Sequence, residues 1–151
     1  MKLYYPDYTN SIMNVTNSIL KHYNAPTLHP SIPFLDAELA KGYNHIIYIL
    51  LDGMGTNVIH NHLLKTDGLR KHLKKEITSV FPPTTVAATD AVLSGIPPIS
   101  NGYLGWTQYF EKEDSNCVVF LNIDYYTHEP LKENLREKYL SFDTVYTQIN
   151  N

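Results

Sequence analysis

Residues 45–55 read HIIYILLDGMG, and this stretch decides the fold. His45 to Leu51 is a continuous apolar run rich in β-branched side chains, ended by Asp52-Gly53. Such a run predicts a strand buried on both faces, the pattern of a parallel sheet. Downstream, helical pieces are expected over Asn57–Leu64 and Gly68–Leu73. A short strand is expected over Ile77–Phe81, stopped by Pro82 and Pro83. Thr85–Ser94 predicts a helix, with Gly95 at a left-handed C-cap position and Pro97-Pro98 preventing continuation. Cys117–Ile123 (CVVFLNI) predicts another strand, Leu131–Tyr139 a helix, and Phe142–Ile149 a last helix.

Upstream, Thr9 or Asn10 can cap a helix reaching Tyr23, because Ile12, Val15, Ile19, Leu20 and Tyr23 then share one face. The three prolines from Pro26 to Pro33 mark a loop, and a helical turn is expected over Leu35–Lys41. Strands alternating with helices predict an α/β fold, a three-layer α/β/α arrangement around a mostly parallel sheet. Residues 1–44 lead into the core and residues 45–151 form it. No internal repeat or low-complexity segment interrupts this order.

The chain has 151 residues, 43% of them hydrophobic and 18% charged, enough to bury one domain's core. A net charge of −3 argues against a nucleic-acid partner, which calls for a basic excess. It does not argue against a phosphate ester, because bound metals supply positive charge locally. The one cysteine, Cys117, cannot form an internal disulfide, which points to a reducing, cytoplasmic setting. The N-terminus MKLYYPDYTN lacks the apolar core of a signal peptide, and no window approaches the ~18–20 apolar residues of a membrane span.

In an open α/β sheet, ligands gather beyond the carboxyl ends of the strands. Asp52 leaves its run there, followed by Gly53 and Gly55, which permit unusual backbone angles and close approach of a ligand. Asp-Gly is also an ordinary turn signal, so Asp52 can equally be a cap or turn residue. The second candidate is SVFPPTTVAA, residues 79–88, which follows a strand and opens a helix. A hydroxyl at a helix start meets free backbone N–H groups and the positive end of the helix dipole, a natural phosphate site. Thr85 can attack phosphorus if a metal or base takes its proton. The plain alternative is a threonine N-cap.

The DGMG after the apolar run and the later VFPPTTVAATDAVLSGIPPISNGYLGW together resemble the nucleotide pyrophosphatase/phosphodiesterase branch of the alkaline phosphatase superfamily. Asp52 matches the first-strand metal ligand, Phe81-Pro82 and Thr85 the nucleophile segment, and Gly95, Pro98 and Gly102 the stretch that follows. The resemblance is strong over residues 46–106. It implies an alkaline-phosphatase-like core of which this chain is the N-terminal part. It also implies two divalent metal ions, typically zinc, with Asp52 and Thr85 ligating one and most other ligands elsewhere. Thr85 would attack in line and form a phospho-threonine, later hydrolysed. The backbone N–H of Val86 would hold a phosphate oxygen.

This sequence departs from that pattern in two ways. Where nucleotide pyrophosphatases carry an asparagine three residues after the nucleophile, Ala88 stands here, and Asn57 or Asn101 is a possible substitute. The remaining ligands, an Asp-x-x-Gly-His motif among them, have no clear counterpart. Asp124–His128 keeps the Asp-to-His spacing, but Thr127 replaces the glycine and the segment lies too close to Thr85. His60 and His62, two residues apart on a helix, cannot share a face. The expected substrate is therefore a small phosphate ester such as a nucleotide. A half-sheet leaves apolar strand faces to cover, which predicts a homo-oligomer or association with a C-terminal half. The other readings are a phosphatase or phosphomutase of the same superfamily, and a non-catalytic α/β binding or assembly domain.

Overall fold

The computed structural model describes residues 4–151. Its centre is a pair of helices. α1 spans Ile12–His22 and α5 spans Thr85–Ser94. Ser11 is the N-cap of α1, and Asn14 Oδ1 accepts from the Ser11 amide at 2.8 Å and hydroxyl at 2.6 Å. α1 buries four polar residues, Asn14, Thr16, Asn17 and Ser18. Buried polar groups are costly unless hydrogen-bonded, and these are bonded. Thr16 donates to the Val92 carbonyl, Asn17 Nδ2 to the Gly95 carbonyl at 2.7 Å, and the Ser18 hydroxyl accepts from the Ile32 amide. α5 approaches closely because it presents Ala87 and Ala91, both fully buried.

Gly95 ends α5 in the left-handed region, φ 74°, as its position predicts. A Cβ there would lie 3.3 Å from Thr16 Cγ2 and 3.4 Å from Asn17 Nδ2. Glycine therefore serves both the turn and the helix contact. Two apolar clusters flank α5. Met13, Val80 and Ala91 pack on one side, and Val86, Tyr103, Val119 and Leu140 on the other.

The remaining helices are short: α2 Pro33–Leu39, α3 Thr56–His62, α4 Gly68–Lys71, α6 Pro98–Asn101, α7 Leu135–Tyr139 and α8 Val145–Asn150. Among the described residues no helix is long and apolar enough to cross a membrane. The sheet has three strands, β1 Thr107–Phe110, β2 Ser115–Val118 and β3 Ile123–Asp124, in the order β1-β2-β3 and antiparallel throughout. Register runs from Thr107↔Val118 to Phe110↔Ser115.

The chain is thus mixed α/β, but its strands lie differently from the expected parallel ladder. The predicted strand over Cys117–Ile123 breaks after Val118, where the Leu121 and Asn122 amides fold back onto the Val118 carbonyl and Asn122 takes φ 53°. The predicted strand over Ile77–Phe81 contracts to one parallel bridge, Ser11↔Thr78. Residues 45–51 form no ladder, and among the described residues their backbone groups make no backbone hydrogen bond. The physical reason is that a strand exists only through its neighbours, and none of the described residues pairs with this one through its backbone. Its side chains stay open, with Ile47 82% and Ile49 70% exposed.

Candidate active site

Asp52 lies just past the apolar run, in a turn with Gly53 at φ 66°. The Gly55 amide donates to the Gly53 carbonyl at 3.1 Å, and Gly55 then caps α3. At Gly53 a Cβ would meet nothing within 4 Å, so only the backbone angle favours glycine there.

Thr85 arrives from the other side. Thr84, not Thr85, is the N-cap of α5, and its carbonyl accepts from the Ala88 amide at 2.9 Å. Thr85 is the first helical residue, and the Thr84 side chain makes no capping bond. The amides of Thr85, Val86 and Ala87 consequently have no backbone partner among the described residues, as a helix start dictates. The Thr85 hydroxyl is not used as a cap. It faces the Asp52 carboxylate, 3.4 Å from both Oδ1 and Oδ2. Both residues are exposed. Two positions 33 apart in sequence therefore meet at the start of α5, where the following residues Val86 and Ala87 are fully buried.

The spacing can be tested against a metal. Two oxygens bound to one tetrahedral zinc at ~2.1 Å lie ~3.4 Å apart. Asp52 and Thr85 fit one edge of such a site, with donor types that suit a divalent cation. They do not make a complete centre, because structural and catalytic zinc take about three or four protein ligands. Among the described residues no group of three or more His, Cys, Asp or Glu side chains is gathered to hold a metal.

The other sequence candidates fall elsewhere. Asn101 is only 5% exposed, donates to the Ser94 hydroxyl at 3.3 Å and accepts from the Tyr103 amide at 2.9 Å. Ser94 ends α5, roughly 14 Å along the axis from Thr85. Asn101 is thus a loop-holding residue and does not meet the pair. Asn57 is exposed on the first turn of α3, its Oδ1 beside Gly55.

Asp124 accepts from the Tyr126 and Thr127 amides at 2.9 and 2.8 Å, and these bonds, Thr127's foremost, hold its carboxyl below the usual range. Its lone pairs close the loop that ends at His128, whose φ is 60°. His60 pairs with Glu76 at 3.1 Å.

Sequence reading passed over Asp90, in the middle of α5. It is 1% exposed, its Oδ2 has no hydrogen-bond partner, and burial pushes its pKa up to about 6 against the opposing pull of Arg136. A lone acid inside the apolar TVAATDAVLS helix was the available signal.

No protein-family model, curated protein or solved structure matches this chain.

Proposed function

We propose that this chain carries the nucleophile and one metal ligand of a metal-dependent phosphate-ester hydrolase acting through a phospho-threonine. The observation that carries the reading is the Thr85–Asp52 contact at the open start of α5. The ordered motif resemblance over residues 46–106 points the same way.

The chemistry follows from the groups present. The Thr85 oxygen forms a bond to phosphorus as the bond from phosphorus to the leaving oxygen breaks. The hydroxyl proton passes to the Asp52 carboxylate, and the leaving alcohol or phosphate takes a proton from water. The resemblance assigns a non-bridging phosphate oxygen to the Val86 amide; Val86 is fully buried in this structure, so the start of α5 would have to open for that contact. Water then attacks phosphorus, the bond to Thr85 breaks, and the threonine regains its proton. A divalent cation on the Asp52–Thr85 edge, zinc by the resemblance, would lower the pKa of the hydroxyl.

In this reading residues 45–51 are a strand of a three-layer, mostly parallel core. Its neighbouring strands and remaining metal ligands come from polypeptide outside the described residues. Diester hydrolysis is favoured over the phosphatase or phosphomutase reading because the motifs match the diesterase branch. The test is release of nitrophenol from a nitrophenyl phosphodiester with added zinc. Activity is expected to fall at least a hundredfold in Thr85→Ala, with zinc affinity reduced in Asp52→Asn. Equal turnover by Thr85→Ala would overturn the nucleophile assignment, and no turnover by the zinc-supplemented parent would favour the non-catalytic reading, in which Asp52 and Thr85 are a turn residue and a helix-start residue.

A further inference from the structure

Asp90 and Arg136 carry opposite formal charges, and the candidate site uses neither. Asp90 is 1% exposed in the middle of α5, and its Oδ2 has no hydrogen-bond partner. Among the described residues neither side chain belongs to an ion pair. Arg136, on α7, lies over two rings instead. Its guanidinium carbon is 5.6 Å from the centroid of Tyr103 and 5.3 Å from that of Phe120. Its Nε donates to the Tyr103 hydroxyl at 3.2 Å and its Nη1 to the Phe120 carbonyl at 3.3 Å. Both bonds are long for N–H···O, which centres near ~2.9–3.0 Å, so the guanidinium is held loosely.

The charge of Arg136 reaches Asp90, where it opposes the upward push of burial on the carboxyl. It also reaches Cys117 on β2, whose thiol is pushed up by burial and by Asp124. The side chains that hydrogen-bond to the C-terminal end of α5 and its cap from α1, α6 and α8 are uncharged, namely Thr16, Asn17, Asn101 and Gln148. Arg136 is therefore the cation within reach of Asp90. A buried carboxylate without a partner is costly, and it escapes that cost by keeping its proton or by gaining a cation.

We propose that Asp90 and Arg136 form a proton-controlled latch, in which loss of the Asp90 proton to water draws the Arg136 guanidinium off Tyr103 and Phe120 and onto the Asp90 carboxylate. The structure holds the protonated setting, with Arg136 on the rings. Tyr103 packs with Val86, Val119 and Leu140, and Phe120 packs against the same cluster. Val86 follows Thr85, so the latch acts on the cover over the start of α5. Burial, charge and hydrogen bonding carry it, and it stands without the hydrolase reading.

The single tryptophan reports the move. Trp106 lies edge-on to Phe120 with ring centroids 6.0 Å apart. The test is a titration of the whole chain between about pH 4 and 8, which brackets the Asp90 carboxyl. It follows the Asp90 carboxyl carbon and Arg136 Nε by NMR and Trp106 by fluorescence, with circular dichroism checking the fold at each pH. All three signals are expected to move together, with one midpoint at about 6. In Asp90→Asn the Arg136 and Trp106 transitions are expected to vanish. In Arg136→Gln the Asp90 midpoint is expected to rise by about one pH unit, because the opposing cation is gone, while Trp106 stops responding.

An Asp90 carboxyl that titrates while Arg136 and Trp106 stay unchanged would overturn the latch. So would an Asp90 that keeps one protonation state across the range. Arg136 and Trp106 transitions that persist in Asp90→Asn would overturn it as well, by assigning them to another group. The titration of the unsubstituted chain decides the matter even if a variant unfolds.

Discussion

The α1–α5 pair and the stretch between them in sequence are both rich in aliphatic residues, yet they end in opposite states. α1 buries six of its residues and α5 six. From position 40 to 79 no residue is buried. The difference is partnership, not composition. The buried polar side chains of α1 find carbonyls and amides within the chain, such as the carbonyls of Val92 and Gly95. Ile47 and Ile49 stay largely exposed. A helix satisfies its own backbone and needs only a face to lean on, whereas a strand needs another strand. The same chain can therefore complete its helical half and leave its strand open.

The largest effect that would sharpen this contrast lies in the helical half. Met13 is fully buried against Val80 and Ala91. Met13→Ala should cost about 2–5 kcal/mol in urea unfolding. Ile47→Ala, despite its longer apolar side chain being lost from a predicted core strand, should stay within about 0.5 kcal/mol. Comparable losses at both sites would break the contrast.

Next comes Asp90. Its folded pKa of about 6 lies above the ordinary 3.8. Protonated, it is tolerated in the core; ionised, it is not. Its contribution is therefore most favourable below about pH 4 and is lost as pH rises toward and through 6, by up to about 3 kcal/mol at 1.36 kcal/mol per pH unit. Asp90→Asn should flatten the stability profile between pH 4 and 7 and stabilise the protein at neutral pH. An unchanged slope in thermal melts across that range would show that Asp90 is not the titrating group.

A smaller loss is expected for Asn17→Ala, which leaves the Gly95 carbonyl without its side-chain donor. About 1–3 kcal/mol is the cost of such a buried orphan. A midpoint shift no greater than at an exposed control, such as Asn150→Ala, would contradict it. The smallest effect is at Gly53, where φ is 66° and space is open. Gly53→Ala should cost about 1 kcal/mol or less globally, while disturbing the Asp52 turn. Its zinc affinity should therefore fall more than its melting temperature suggests.

What the sequence makes legible divides along the same line. α5 begins and ends at the predicted residues, because a proline pair, a threonine start and a C-terminal glycine are local signals. α1 begins at Ile12 after Ser11, slightly later than Thr9 or Asn10 suggests, since Asn14 completes the cap at Ser11. The parallel ladder depended on non-local partners, which periodicity does not contain. The hairpin of β1 and β2 went unread because its connection, a 3-10 turn at Glu111–Glu113 closed by Asp114 at φ 46°, carries no glycine.

At the site, the meeting of Asp52 and Thr85 follows from two motif segments. Asn101 misleads, because its neighbours at Ser94 and Tyr103 hold it at the far end of α5.

The most direct test of the central claim is mass spectrometry of the peptide carrying Thr85. The sample is acid-quenched during reaction of the zinc-supplemented chain, or a longer product of the same gene, with a nitrophenyl phosphodiester. The account predicts an adduct on Thr85 whose mass is the phosphoryl group with the substrate's remaining ester group, absent from Thr85→Ala and reduced in Asp52→Asn. Nitrophenol release with Thr85 unmodified, and undiminished in Thr85→Ala, would contradict it.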